Sequence, residues 1–300
     1  MKKTTFTTLG TALFLIGASF TAVRAEGANT AAEARADIQK TLGFVPGFFL
    51  EVPEQALPGM WDEMKTLQMN PNTALRPKLK ELIGLGVAAQ IPCKYCIEAH
   101  TEFAKLNGAT EAELGDAVAM AALTRHWSTV LNGIQTDEAK FRKDAAKVVN
   151  HIKAVMAGKA AAPTPMEVND GQSALKDIEQ TMGFVPEFLK KFPDAARAAA
   201  WNNMKAVELN PNAAVSPKDR ELIGLAVAAQ IPCRFCVIHH TELAKLDGAT
   251  EDEIDEAIAM AAFTRQASTL LNGVQTDPSQ FHNDIVKLIQ DARTSAAKNK

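Results

Sequence analysis

At 300 residues, with 47% apolar and 22% charged residues, the chain is long enough for one large domain or two modest ones and too apolar for whole-chain disorder. A formal net charge of −3, with no strongly basic stretch, argues against a nucleic-acid partner. One Tyr, three Trp, abundant alanine and little strand-like alternation argue against an all-β sandwich and for helices.

Residues 1–25 have the layout of a secretory signal peptide. Lys2 and Lys3 form a basic start, Leu9 to Val23 an apolar run of 15 residues, and Val23-Arg24-Ala25 a small-residue cleavage site. The run is short and rich in Gly, Ser and Thr for a membrane span. The expectation is a cleaved signal, no membrane attachment afterwards and a periplasmic destination. Loss of Lys2, Lys3 and Arg24 takes the charge to −6. An oxidising compartment also permits disulfides.

The remaining chain is written twice, at a constant offset of 140. Leu42-Gly43-Phe44-Val45-Pro46 returns as Met182-Gly183-Phe184-Val185-Pro186. Trp61 returns as Trp201, Asn70-Pro71-Asn72 as Asn210-Pro211-Asn212, and Leu131-Asn132-Gly133 as Leu271-Asn272-Gly273. Glu81 to Phe103 returns as Glu221 to Leu243 with 16 of 23 positions identical. The expected organisation is a first module at 28–157, a Gly/Pro/Ala linker at 158–170 and a second module at 171–297.

Within each copy the punctuation marks helices. Pro53 and Pro58 flank a turn before a Trp61 helix that ends at Asn70-Pro71-Asn72. Pro77 opens the next helix, as Ser216-Pro217 does in the second copy. Gly84-x-Gly86 has neither the third glycine nor the preceding strand of a phosphate loop, so it reads as close helix packing. Ile91-Pro92 ends that helix, and another runs from near Pro92 to Leu106. Asn107-Gly108 and Asp247-Gly248 are stop signals. Thr110 with Glu113, and Thr250 with Glu253, have capping-box spacing. A last helix covers about 137–156. Trp61, Trp201, Phe44 and Phe184 read as core, with a pocket wall as the alternative.

All four cysteines lie in two Cys-x-x-Cys pairs, Cys93/Cys96 and Cys233/Cys236, each at a predicted helix start and each followed by a histidine, His100 or His240. On a helix, Cys96 and His100 lie one turn apart on a common stripe with Cys93. Helix-terminal N–H groups favour a thiolate at the first cysteine of each pair, Cys93 or Cys233, whereas the nearby histidine favours the second. Glu81 and Glu221 precede the first cysteines by twelve residues, inside apolar helices. A buried carboxylate at that place suits proton transfer. A redox-active dithiol is the leading reading. A structural disulfide in a non-catalytic assembly module, and a metal site built on the cysteines and histidine, compete with it. Haem attachment is excluded, because Ile97 and Val237 stand where it needs histidine. His126 becomes Gln266 in the second copy and reads as a polar or core position. His239 replaces Ala99 and reads as either the site's edge or solvent-exposed.

Glu81, Cys93, Cys96 and His100, repeated as Glu221, Cys233, Cys236 and His240, resemble the pattern of the alkylhydroperoxidase D-like branch of the carboxymuconolactone decarboxylase family. The resemblance covers about 75–134 and 215–274. It implies an all-α fold of two tandem alkylhydroperoxidase D-like helical-bundle modules. It implies a thiol-dependent peroxidase or disulfide reductase in which these eight residues are catalytic, with no cofactor and no metal. It further implies a hydroperoxide substrate, an external dithiol electron donor and a homo-oligomer, either a trimer forming a pseudo-hexamer or internally paired modules. In that reading Cys96 and Cys236 attack, His100 and His240 take their protons, Cys93 and Cys233 resolve, and Glu81 and Glu221 position or relay through the resolving cysteines. Between the cysteines, Lys94-Tyr95 and Arg234-Phe235 replace a histidine carried by well-characterised relatives. The decarboxylase branch lacks the paired cysteines.

Overall fold

The computed structural model describes residues 27–298, so the signal peptide expected at 1–25 lies outside the described residues. Among the described residues there is no strand, and the fold is all-α. No described helix is long and apolar enough to cross a membrane.

The first repeat runs α1 (Ala31–Leu42), α2 (Gly47–Leu50), α3 (Leu57–Glu63), α4 (Pro77–Gln90), α5 (Lys94–Leu106), α6 (Glu111–Gly133) and α7 (Glu138–Met156). The second runs α8 (Gly171–Met182), α9 (Glu187–Lys191), α10 (Asp194–Val207), α11 (Pro217–Gln230), α12 (Arg234–Leu246), α13 (Glu251–Gly273) and α14 (Pro278–Lys298). Local chemistry sets many of these ends. Ser216 caps α11 by accepting from the Asp219 N–H, and Thr110 and Thr250 form complete capping boxes with Glu113 and Glu253.

Two starts differ from the sequence reading. Pro58 lies in the first turn of α3 rather than in a preceding turn, which suits a residue without an N–H to pair. Helix α5 starts at Lys94, because Cys93 is its N-cap and its sulfur accepts from the Cys96 N–H at 3.2 Å. The repeats also diverge in the Trp61 helix. Here α3 passes into a π-helical turn, Met64–Gln68, whereas α10 stays α-helical to Val207.

The core crosses the repeat boundary. Helices α4 and α11 pack on each other and on both α6 and α13. Leu82, Ile83, Leu85 and Val87 mesh with Leu222, Ile223, Leu225 and Val227 in one buried cluster. Gly86 makes this possible, since a Cβ there would come within 3.0 Å of Ile223. Polar links follow the same pseudo-twofold pattern. The Leu75 N–H donates to Glu256 and the Val215 N–H to Asp116, both at 3.0 Å. Fully buried Lys80 pairs with Glu256 at 2.9 Å, and Arg76 forks onto buried Asp219.

The last helix of each repeat is exchanged. Helix α7 packs on α8 and α12, and α14 packs on α2 and α5. Each repeat thus places its closing helix over the cysteine helix of the other. Trp61 and Trp201 are core, fully buried with their indole N–H groups on Asp37 and Asp177 at 2.8 and 2.7 Å. Phe44 and Phe184 are only half-buried and lie under Lys287 and Lys147 of these exchanged helices.

Candidate active site

Each cysteine pair begins a helix directly after a break, so its sulfurs lie at unsatisfied helix-terminal N–H groups. Both pairs, Cys93–Cys96 and Cys233–Cys236, are disulfides, and all four residues are buried. One turn along, His100 and His240 point back over α4 and α11. Gly84 and Gly224 leave room for the rings. A Cβ on Gly84 would collide with the His100 ring, and one on Gly224 would come within 2.7 Å of the His240 ring. Gly84, read from sequence as a helix-packing residue, is the floor beneath an imidazole.

The glutamates bind the histidines. His100 Nδ1 lies 2.7 Å from Glu81 Oε2, and His240 Nδ1 lies 2.8 Å from Glu221 Oε2. The expected relay through Cys93 and Cys233 is therefore corrected: the carboxylate's partner is the imidazole, which it orients through Nδ1. The partners of Cys93 and Cys233 come from the other repeat. Asn272 Nδ2 reaches Cys93 Sγ at 3.6 Å, and Asn132 Nδ2 reaches Cys233 Sγ at 3.8 Å. The second histidine nitrogen is also met across the boundary, by Thr264 at 3.3 Å from His100 Nε2 and by Thr124 at 3.2 Å from His240 Nε2. Each set of four predicted residues is brought together, and each is completed by helix α13 or α6 of the opposite repeat.

A further residue separates the two sites. In the first, Gln68 at the end of the π-helical turn donates to Glu81 at 3.0 Å. The corresponding residue in the second is Glu208, buried and hydrogen-bonded to His239. His239 thus belongs to the site and is not simply solvent-exposed. Burial and the neighbouring Glu208 push the Glu221 carboxyl well above the usual range. Burial opposes ionisation of Glu208 too, but His239 and His240 outweigh it and hold its pKa low. Burial lowers the His240 pKa.

Access separates them further. In the first site Cys96, His100, Glu81 and Gln68 border an apolar pocket walled by Phe48, Met64, Phe103, Ala267 and Phe281. Fully buried Cys93 does not border it. In the second site Trp127 stands at the position of Ala267 and packs on Phe188 and Phe192, both with ring centroids 5.5 Å away. His239 stands at the position of Ala99, another wall residue. The remaining histidines are outside both sites. His126 is exposed and edge-packed on Trp127, His151 meets the Gln180 carbonyl, and His282 pairs with Glu98.

Sequence reasoning missed Gln68 and Glu208, Thr124 and Thr264, Asn132 and Asn272, and Trp127. The asparagines had a signal, the repeated Leu-Asn-Gly triplet. Gln68 and Glu208 lie two residues before the repeated Asn-Pro-Asn.

No curated protein matches the chain in sequence. A 1.70 Å crystal structure of a provisionally assigned gamma-carboxymuconolactone decarboxylase subunit from Burkholderia xenovorans matches it with a TM-score of 0.51 at 16% identity. The match covers 89% of this chain and 98% of that one, and at this identity it speaks for the fold alone. The profile of the carboxymuconolactone decarboxylase family matches residues 55–136 and 194–275, which together exceed half of the chain. Both Glu–Cys–Cys–His sets fall within those ranges, and the chain belongs, as a tandem repeat, to the carboxymuconolactone decarboxylase family.

Proposed function

We propose that the protein is a thiol-dependent peroxidase and disulfide oxidoreductase whose peroxide-reducing centre is the first repeat. The observation that carries this reading is the placement of Cys96 on the wall of an apolar pocket, beside a buried Glu81–His100 pair and bonded to Cys93. Starting from the reduced pair, His100 takes the Cys96 thiol proton, and Glu81 stabilises the resulting imidazolium through Nδ1. The thiolate attacks the outer oxygen of a hydroperoxide. The O–O bond breaks, Cys96 becomes a sulfenic acid, and the departing alkoxide takes the proton from His100 and leaves as an alcohol. The Cys93 thiol then displaces water from the sulfenic acid and forms the disulfide. An external dithiol reduces it by exchange and is itself oxidised.

Cys96 rather than Cys93 attacks because it borders the pocket, whereas Cys93 is fully buried against the Asn272 amide. The second repeat carries the same cysteine pair, but there the Trp127 indole shares one buried cluster with Cys233 and Cys236, where the first repeat has Ala267. Export, a periplasmic dithiol donor and a trimeric assembly belong to the same proposal and rest on the leader-like segment 1–25 and the family pattern.

The test is consumption of an organic hydroperoxide by the purified chain with a dithiol reductant. C96S is expected to abolish turnover, and C236S to leave most of it. Unchanged turnover in C96S overturns the peroxidase reading. Equal losses in both variants overturn the assignment to the first repeat.

A further inference from the structure

We propose that the second repeat holds a divalent transition-metal ion, with zinc as the probe, on Glu208, Glu221, His239 and His240. Each of the four offers one ligand atom, and these atoms all lie within 4.8 Å of one another. They come from three elements. Glu208 follows α10, Glu221 lies on α11, and the two histidines are consecutive on α12. None is a cysteine, so this site differs from one built on the Cys-x-x-Cys pair.

The donor chemistry favours such an ion. Two imidazole nitrogens and two carboxylate oxygens suit Zn²⁺ and its first-row neighbours. Two carboxylates with two neutral imidazoles make the site neutral around a divalent cation. Neutrality matters here, because Glu208, Glu221 and His240 are all buried. His239 keeps 28% of its side chain exposed and gives the ion a way in from solvent.

Supporting contacts hold the donors in place. Thr124 meets His240 Nε2 at 3.2 Å, leaving Nδ1 toward the carboxylates. Buried Arg220 ties down the segment that carries Glu208 by donating to the Val207 and Asn210 carbonyls at 3.1 and 2.7 Å.

The first repeat is an internal control. It keeps Glu81 and His100 but has Gln68 and Ala99 in place of Glu208 and His239. The fold and the Glu–His pair therefore do not require the two additional donors. Their presence together, on separate elements and converging on one point, is specific to the second repeat.

This inference does not depend on peroxide turnover, and its test reads metal directly. The full chain, with both disulfides intact, is stripped with chelator, equilibrated with Zn²⁺ and examined by titration calorimetry and metal analysis. One zinc per chain is expected. E208Q and H239A, which install the first repeat's residues, should each weaken binding about 100-fold or more, beyond the usual 10–100-fold cost of losing a supporting partner. C233S/C236S should still bind. Conversely, Q68E/A99H should create a second site and raise the stoichiometry to two. No zinc uptake overturns the proposal, as does uptake unchanged in folded E208Q/H239A. If that double variant does not fold, Q68E/A99H decides: a second equivalent supports the site, and an unchanged one overturns it.

Discussion

The two sites share a glutamate, two cysteines and a histidine at the same spacing, and the Glu–His contacts differ by only 0.1 Å. Around that common frame they diverge. The first has an amide at Gln68, a methyl at Ala99 and open space beside Ala267. The second has a carboxylate at Glu208, an imidazole at His239 and an indole at Trp127. One is a disulfide beside an apolar pocket, and the other a disulfide packed against an indole and rich in charged donors. Duplication within one chain allows this, because each copy can change its surroundings while the shared core of α4, α6, α11 and α13 stays intact. Identity at four reactive positions therefore does not imply identical chemistry.

The largest expected effect comes from exchanging the residue that opens or closes the pocket. A267W should place an indole beside Cys96 and lower hydroperoxide turnover by about 100-fold, comparable to the loss of a positioned proton-transfer group. The disulfide should still exchange with a small dithiol, which separates blocked access from lost chemistry. The reverse change, W127A, should expose Cys236 to hydroperoxide, seen as peroxide-dependent sulfenic acid trapping at that residue. It should also cost about 3 kcal/mol in urea unfolding, at the low end for loss of a buried aromatic. The low end is expected because the buried Trp127 indole N–H has no partner to lose.

A smaller effect is expected from G84A. Its methyl would meet the His100 ring, so the ring must move away from Glu81. Destabilisation of about 1–3 kcal/mol is expected for such overpacking. The pH profile of turnover should change as well, whereas G86A should lower stability and leave the pH profile alone.

The smallest effect concerns the link between repeats. R76A should cost about 1 kcal/mol near pH 7, a modest value because the guanidinium is half-exposed. Burial pushes the Asp219 pKa up, but Arg76 and Ser216 outweigh it and hold it below the ordinary aspartate range. The pair's contribution is therefore present above about pH 4, the unfolded aspartate value, and is lost as pH falls through the lower folded value. The stability gap between R76A and the parent chain should close in acid. A gap that widens there would show that Arg76 acts through packing instead.

Much of this was legible in the residues. Pro77 and Ser216-Pro217 mark helix starts because proline lacks a donor and serine supplies an acceptor, and the capping boxes work through contacts three residues apart. The constant offset of 140 exposed the duplication, and the Cys–Cys–His stripe follows from helical geometry. The caps and the stripe are local interactions readable in a single window of sequence, and the duplication needs only two such windows to be compared. The Glu81–His100 contact was not, since a carboxylate nineteen residues away can meet either a cysteine or the histidine until two helices are packed. Gly84 looked like a packing glycine for the same reason: the ring that needs its space comes from another helix.

The amino-acid sequence by itself determined the all-α class, the duplication, most helix ends and the pairing of reactive residue types, because these depend on propensity, capping and short spacing. Tertiary structure alone decided that each site is finished by the opposite repeat. Thr264 and Asn272 reach His100 and Cys93 across the boundary, and Thr124 and Asn132 reach His240 and Cys233. It also decided that Trp127 packs into the cluster around one cysteine pair while Ala267 borders an open pocket beside the other, and that Glu208 and His239 converge. Those outcomes depend on how two amphipathic surfaces bury each other, a relation among residues 31 to 179 positions apart that no local pattern records.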